Sequence, residues 1–260
     1  MKQTILTSKQ NELLENLIVK YNQIVTFDQI LNEAKIFWDY KQTKNLITKL
    51  VKNGWLIRIK KGLYAISDLS SRGFLSLSPY NTANLLVPDS YVSFESALQR
   101  YGMFDQLTNK TISVSLKAYK SVVLNNIEYS YIKTKPEFYF GSRDMTIDSH
   151  VVHIATAEKA LIDIINFRRN QYYIDLVIEI LINNRQSFNF ELFSTYLEKL
   201  SLTTIKIFGL IFDILAIKSD KLYKIIKANH SVHWMTRGDT KFNSKWRLYY
   251  NSYFDKYQSR

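Results

Sequence analysis

Lys41, Lys44, Asn45, Thr48 and Lys52 fall at i, i+3, i+4, i+7 and i+11, the spacing of side chains that leave one face of an α-helix. No Asp or Glu interrupts that face. Ammonium groups in such a row suit phosphates, while amides and hydroxyls suit base edges, so the pattern is the chemistry of a helix lying in the major groove of DNA. Tyr40, Gln42 and Asn45 stand nearest the N-terminal end, the end with which a recognition helix reads bases. Lys41, Lys44 and Lys49 are placed for phosphates, and Thr43 and Thr48 complete the set of candidate contacts. A second basic group, Arg58, Lys60 and Lys61, follows directly.

Other side chains with chemical potential lack the company that a reaction needs. His150 and His153 form a His-x-x-His pair, as do His230 and His233, but no acidic zincin pattern accompanies either, so no metal site is expected. Ser93 and Ser96 have no local histidine partner. Glu158 and Asp163 read as the solvated side of an amphipathic helix. Only seven glycines occur and none lies in a phosphate-cradling loop, which removes Walker and dinucleotide fingerprints. No catalytic residue and no cofactor is expected, although a triad assembled from distant positions leaves no local trace.

The elements that must position the basic face can be read from apolar spacing. After Ser8, a candidate N-cap, Leu13, Leu14, Leu17, Ile18 and Tyr21 form the stripe of a first helix. Ile24-Val25 is a short extended link. Thr26 with Gln29 makes a capping box, and Phe27, Ile30, Leu31 and Ala34 mark a second helix. The third spans about Asp39 to Asn53, with Asp39 as its cap, Leu46, Ile47, Leu50 and Val51 on its buried side, and Gly54 to stop it.

Residues 55–66 then read as a hairpin whose turn uses the positive φ open to Gly62. Trp55, Ile57 and Ile59 alternate with Leu56, Arg58 and Lys60, which predicts one apolar and one mostly polar face, with Lys60 and Lys61 at the tip. Three helices and a basic hairpin are the order of a winged helix-turn-helix. Such a module also serves in some proteins only to hold a partner, and that reading stays open beside DNA binding.

Charge supports the polyanion. The chain of 260 residues carries a formal +12, and the excess is segregated: residues 1–75 hold 12 Lys/Arg against 6 Asp/Glu, 76–223 hold 15 against 15, and 224–260 hold 8 against 2. There is no cysteine, hence no disulfide and no thiolate metal site. The N-terminus lacks the apolar stretch of a secretory signal, and the richest apolar run, Ile205 to Ile217, is broken by Lys206 and Asp213. A cytoplasmic protein without membrane contact is expected.

Three segments resemble the AbiEi family of antitoxins: Leu56-Ile57-Arg58-Ile59-Lys60-Lys61-Gly62-Leu63-Tyr64, then Tyr91-Val92-Ser93-Phe94-Glu95-Ser96-Ala97-Leu98-Gln99-Arg100-Tyr101-Gly102, then Ala155-Thr156-Ala157-Glu158-Lys159-Ala160-Leu161-Ile162-Asp163. Their order and spacing fit across most of the chain. The resemblance implies an N-terminal winged helix that represses its own operon at double-stranded operator DNA, with inverted repeats expected. It also implies a C-terminal domain that counteracts a nucleotidyltransferase-like toxin, within a toxin-antitoxin system of abortive infection and phage defence. Whether that domain touches the toxin or acts on the same target is left open by the residues, as is an enzymatic C-terminal domain acting on a partner.

The remainder predicts an α+β fold that is mostly α: residues 1–75 as the winged helix-turn-helix, and 76–260 as a domain of small mixed sheet and helical bundle. The serine-rich stretch 67–77 is the expected linker. Ser78 followed by Pro79 starts a helix that Pro88 closes, and Ser93 starts another that Gly102 ends. Strand-like runs follow at Thr111 to Leu116, Ile127 to Lys133 and His150 to Ile154, and helical periodicity returns from Thr156 to Ile217. The segment 224–260 mixes Arg237, Lys241, Lys245 and Arg247 with many rings. Most such rings are core, and the four cations are candidates for a secondary nucleic-acid contact that extends the phosphate footprint.

Overall fold

A computed structural model describes residues 5–67, 77–106, 108–148 and 150–258. The fold is α+β, and the chain divides into two compact units. The first takes in the chain up to Pro88, with Val123–Ile127 and Ile147–His150; the second holds the rest.

In the first unit, α1 (Ser8–Tyr21), β1 (Ile24–Thr26), α2 (Phe27–Ala34), α3 (Tyr40–Lys52), β2 (Leu56–Lys60) and β3 (Leu63–Ile66) follow in the expected order, and α4 (Pro79–Leu86) completes it. α1, α2 and α3 each begin with a reciprocal capping box, Thr7 with Gln10, Thr26 with Gln29 and Asp39 with Gln42. The cap of α1 is thus Thr7, not Ser8, because only Thr7 has a glutamine three residues on to return the bond. Leu13, Leu14 and Leu17 of α1, Ile30 and Ala34 of α2, and Leu46, Ile47 and Leu50 of α3 close on Val25, Trp55, Leu56, Tyr64 and Ile66 in one core.

Ile24-Val25 is more than a link. β1 pairs antiparallel with β3, giving the sheet order β1-β3-β2. The two-faced reading of the hairpin fails here: Trp55 and Leu56 face the helical core, while Ile57, Ile59 and Ala65 are buried on the other side with Leu77, Leu85 and Leu86. The second face is covered by α4, so burying it extends the compact unit beyond the serine-rich stretch where the boundary is expected. Residues 68–76 of that stretch lie outside the described residues. Ser78 caps α4 as expected, accepting from the Asn81 amide at 3.2 Å.

A mixed sheet of β4 (Ser90–Val92), β5 (Lys110–Ser115), β6 (Val122–Leu124), β7 (Ile127–Lys133), β8 (Ser142–Ile147) and β9 (His150–Ala155), in the order β6-β7-β5-β4-β9-β8, belongs mostly to the second unit; Val123–Leu124 of β6, Ile127 of β7, Ile147 of β8 and His150 of β9 fall in the first. β4 runs antiparallel to β5 and parallel to β9, and β5 runs parallel to β7. The three predicted strands are β5, β7 and β9. β4 and β6 have three residues each, and β8 is mostly polar and exposed, so none of them carries a periodic apolar signal.

Helices α5 (Phe94–Arg100), α6 (Ala157–Phe167), α7 (Gln171–Asn183), α8 (Phe190–Leu197), α9 (Leu202–Ile214) and α10 (Asp220–Ile226) supply the bundle. α9 is buried almost all round, and Gly209 lets the fully buried Trp246 ring lie against its backbone. Lys206 and Asp213, which interrupt that apolar run, are both engaged: Asp213 accepts from Trp246 Nε1 at 2.7 Å, and Lys206 donates to Asn229 Oδ1 at 3.3 Å. A small sheet of β10 (His233–Trp234), β11 (Lys241–Asn243) and β12 (Leu248–Tyr250), ordered β10-β12-β11, ends the unit. Among the described residues no helix is long and apolar enough to cross a membrane.

Candidate nucleic-acid interface

α3 turns Thr43, Leu46, Ile47 and Leu50 inward and leaves Tyr40, Lys41, Gln42, Lys44, Asn45, Thr48, Lys49 and Lys52 exposed. The basic face predicted from spacing is therefore a real surface. Two of its members are committed elsewhere. Thr43 is 1% exposed and its hydroxyl donates to the Asp39 carbonyl at 2.8 Å, so it belongs to the first turn of the helix and leaves the set of candidate DNA contacts. Gln42 is exposed, but its Oε1 accepts the Asp39 amide at 3.1 Å in the capping box. Only its NH2 group remains for another acceptor, which leaves Asn45 as the exposed amide free to pair in both senses. Thr48 donates to the Lys44 carbonyl at 3.0 Å, and the Lys44 ammonium lies 4.4 Å from the Tyr40 ring.

The hairpin is more tightly held than its sequence predicts. Lys61 and Gly62 form its turn, and the Gly62 carbonyl accepts the Phe27 amide, the first of α2, at 2.8 Å. Lys60 does not sit free at the tip. It is half-buried and its Nζ donates to the Leu86 carbonyl at the end of α4, at 3.2 Å, where a cation suits the unpaired carbonyls of a helix C-terminus. Arg58 and Lys61 remain exposed.

Ion pairing separates this surface from Lys241, Lys245 and Lys256 near the end of the chain. Among the described residues, Lys41, Lys44, Lys49, Lys52, Arg58 and Lys61 have no carboxylate within ion-pair distance. The tail cations behave differently. Lys241 pairs with Asp255 at 2.6 Å, Lys245 with Asp213 at 2.7 Å, and Arg247 donates to the Asn229 carbonyl; of the four predicted there, Arg237 alone is exposed without such a bond. Three of the four are thus structural braces for the end of the fold rather than a continuous phosphate track. Their rings are mostly core, as the spacing suggests: Trp246, Tyr250, Phe254 and Tyr257 are buried.

A polar centre that sequence reasoning assigned to solvent lies in the second unit. Asp163 and Glu158 are buried, not solvated. Asp163 accepts from Ser93 Oγ at 2.7 Å and Tyr91 OH at 3.2 Å, and pairs with the Lys159 ammonium one turn before it on α6. Burial pushes its carboxyl above the usual range, against the pull of Lys159, Ser93 and Tyr91. Ser93 stands at the head of α5, but its hydroxyl goes to Asp163 and not to the helix, and Phe94 beside it takes a φ of 55°. Glu158 accepts the Asn189 amide at 2.9 Å. Nearby, Arg168 donates to both oxygens of Glu95 at 3.0 Å and lies over the Phe94 ring. The second and third segments of the family resemblance meet at this centre, where Ser93, Asp163 and Lys159 are almost wholly covered and so act as scaffold. The i, i+4 spacing of Lys159 and Asp163 was the available signal; a lysine on the apolar side of α6 marks a buried pair.

The histidine pairs do not converge either. His153 contacts Asp144, and both ring nitrogens of His233 are occupied, by Thr203 Oγ1 at 2.6 Å and Ser231 Oγ at 2.7 Å. No group of three or more His, Asp or Glu among the described residues is placed to hold a metal ion.

No family model and no curated protein matches the chain. Among solved structures it is similar to the crystal structure of the RV2827C protein from Mycobacterium tuberculosis, with a TM-score of 0.66 and 13% identity, over 95% of this chain and 92% of that one. At that identity the likeness is one of fold, and it extends over nearly the whole of both chains.

Proposed function

We propose that the chain is an antitoxin-type transcriptional repressor: the first unit binds operator DNA of its own operon as a winged helix-turn-helix, and the second counteracts a nucleotidyltransferase-like toxin. The observation that carries the DNA-binding half is the uncompensated cation surface of α3 and the hairpin. Six exposed cations stand there without a carboxylate partner, while Lys241, Lys245 and Lys256 of the tail are paired. Like charges gathered without counter-charges oppose folding, and a phosphate backbone supplies what they lack. Lys41, Lys44, Lys49, Lys52, Arg58 and Lys61 take phosphates in this reading, and Asn45 with Tyr40 reaches base edges. The toxin-directed half rests on the family resemblance of the three segments.

The experiment is binding of purified full-length protein to the DNA upstream of its own gene and to a scrambled duplex, by fluorescence anisotropy across a salt series. Preference for the upstream duplex, with steep salt dependence, supports the repressor. Equal binding to both duplexes, or none, moves the first unit to the partner-holding reading, which copurification of a cognate toxin would then support.

A further inference from the structure

Arg58 and Lys60 stand two residues apart on β2, a spacing that sends both side chains to one face of an unbroken strand. Here the strand is broken. Arg58 pairs with Tyr64 and Lys60 with Leu63, so Ile59 between them is the extra residue of a bulge. A bulge re-aims the side chains beyond it. Arg58 stays exposed, whereas Lys60 is half-buried and donates from Nζ to the Leu86 carbonyl at 3.2 Å. Ile57, Ile59 and Ala65 are buried with Leu85 and Leu86 of α4, so the lysine bond and the apolar contact fasten the hairpin to the same helix.

The turn is fastened a second time. Its Gly62 carbonyl accepts the Phe27 amide at the start of α2, at 2.8 Å. The Phe27 ring in turn meets Tyr40, the first residue of α3, edge to face, with centroids 6.4 Å apart and planes 89° from parallel. Phe27 thus touches both the hairpin turn and the head of the basic helix, while Lys60 ties the hairpin to α4. Lys61 stands exposed between the two tied residues. A surface already held in its binding geometry loses less freedom when the ligand arrives, so an ammonium spent within the fold can raise affinity without touching the ligand.

We propose that Lys60 is a positioning residue of the nucleic-acid interface: the bulge at Ile59 turns it onto α4, and its bond to Leu86 holds the hairpin so that Arg58 and Lys61 meet phosphates while Lys60 meets none. This role rests on the operator-binding reading of the first unit.

The test compares Lys60→Met, which keeps the stem and loses the donor, with Lys60→Arg, which keeps a donor, and with Lys61→Ala, all in the full chain. Two readouts are taken: hydrogen exchange of the Phe27 amide by NMR without DNA, and anisotropy on the upstream duplex across a salt series. Lys60→Met should speed that exchange about tenfold, as loss of one charged hydrogen bond loosens the hairpin. It should weaken duplex binding by about three- to tenfold, the range for ordering one more long side chain on binding, with the log–log salt slope unchanged. Lys60→Arg should restore both readouts. Lys61→Ala should do the opposite, lowering the slope by about 0.9 and leaving the exchange in place. A slope lowered by about 0.9 in Lys60→Met would make Lys60 a phosphate contact, and unchanged exchange or unchanged affinity in that variant would remove its positioning role; either result overturns the proposal and leaves the operator-binding reading standing. Absence of duplex binding by the unaltered chain would instead bring down that reading, and this role with it.

Discussion

Replacing Lys44 and Lys61 by alanine removes two of the six unpaired cations on the α3 and hairpin surface without touching the core, since both side chains are exposed and neither caps a helix. Each phosphate neutralised on B-DNA contributes about −0.9 to the slope of log K against log salt, so six contacts give a slope of about −5.4 and four about −3.6. Between 50 and 200 mM salt the first corresponds to a loss of about 3 decades in affinity and the second to about 2. Anisotropy on an upstream duplex at four or five salt concentrations resolves that difference. The matched control is Lys241→Ala/Lys245→Ala, which removes two cations that are already held by Asp255 and Asp213 and should leave the slope in place. If the tail pair flattened the slope and the α3 pair did not, the reasoning from ion pairing would be refuted and the phosphate surface would lie elsewhere.

Sequence preference should follow Asn45 and not Thr43: Asn45→Ala is expected to shrink the discrimination between operator and scrambled duplex by about 1–3 kcal/mol, while Thr43→Val leaves it unchanged. Asp163→Ala should cost about 3–5 kcal/mol in urea unfolding, because it strands the buried Lys159 ammonium. The double replacement Lys159→Met/Asp163→Leu should be far milder, and equal losses in the two variants would argue against a buried ion pair. Gly209→Ala would bring a Cβ to 2.3 Å from the buried Trp246 ring, so destabilisation of about 3 kcal/mol is expected despite the ~1 kcal/mol that alanine gains in a helix. Burial and the charges of Lys206 and Arg169 hold His233 below its ordinary 6.5. The unfolded chain therefore binds the proton more readily, and stability should fall as pH drops from 6.5 towards the lower folded value, with the slope absent in His233→Asn. An NMR titration placing His233 above 6.5 would reverse that sign.

What the sequence by itself determined was local: the capping box at Thr26, the cap at Asp39, the apolar stripes of α1 to α3, the Gly62 turn and the acid-free face of α3. These depend on residues within a turn or two of one another, and their physics is the same in any fold. Tertiary structure alone decided which polar groups reach solvent. Thr43 and Asp163 have the composition of surface residues but face inward, since α3 must bury one side and Lys159 stands one turn from Asp163 to meet it. Likewise Lys60 and Lys61 are neighbours of one type, yet the first is drawn to the end of α4 and the second is left exposed. The net charge of residues 224–260 equals that of residues 1–75; only the fold brings Asp213, distant in sequence, to Lys245 and leaves Lys44 without a counter-charge, because pairing is set by proximity in space and not along the chain.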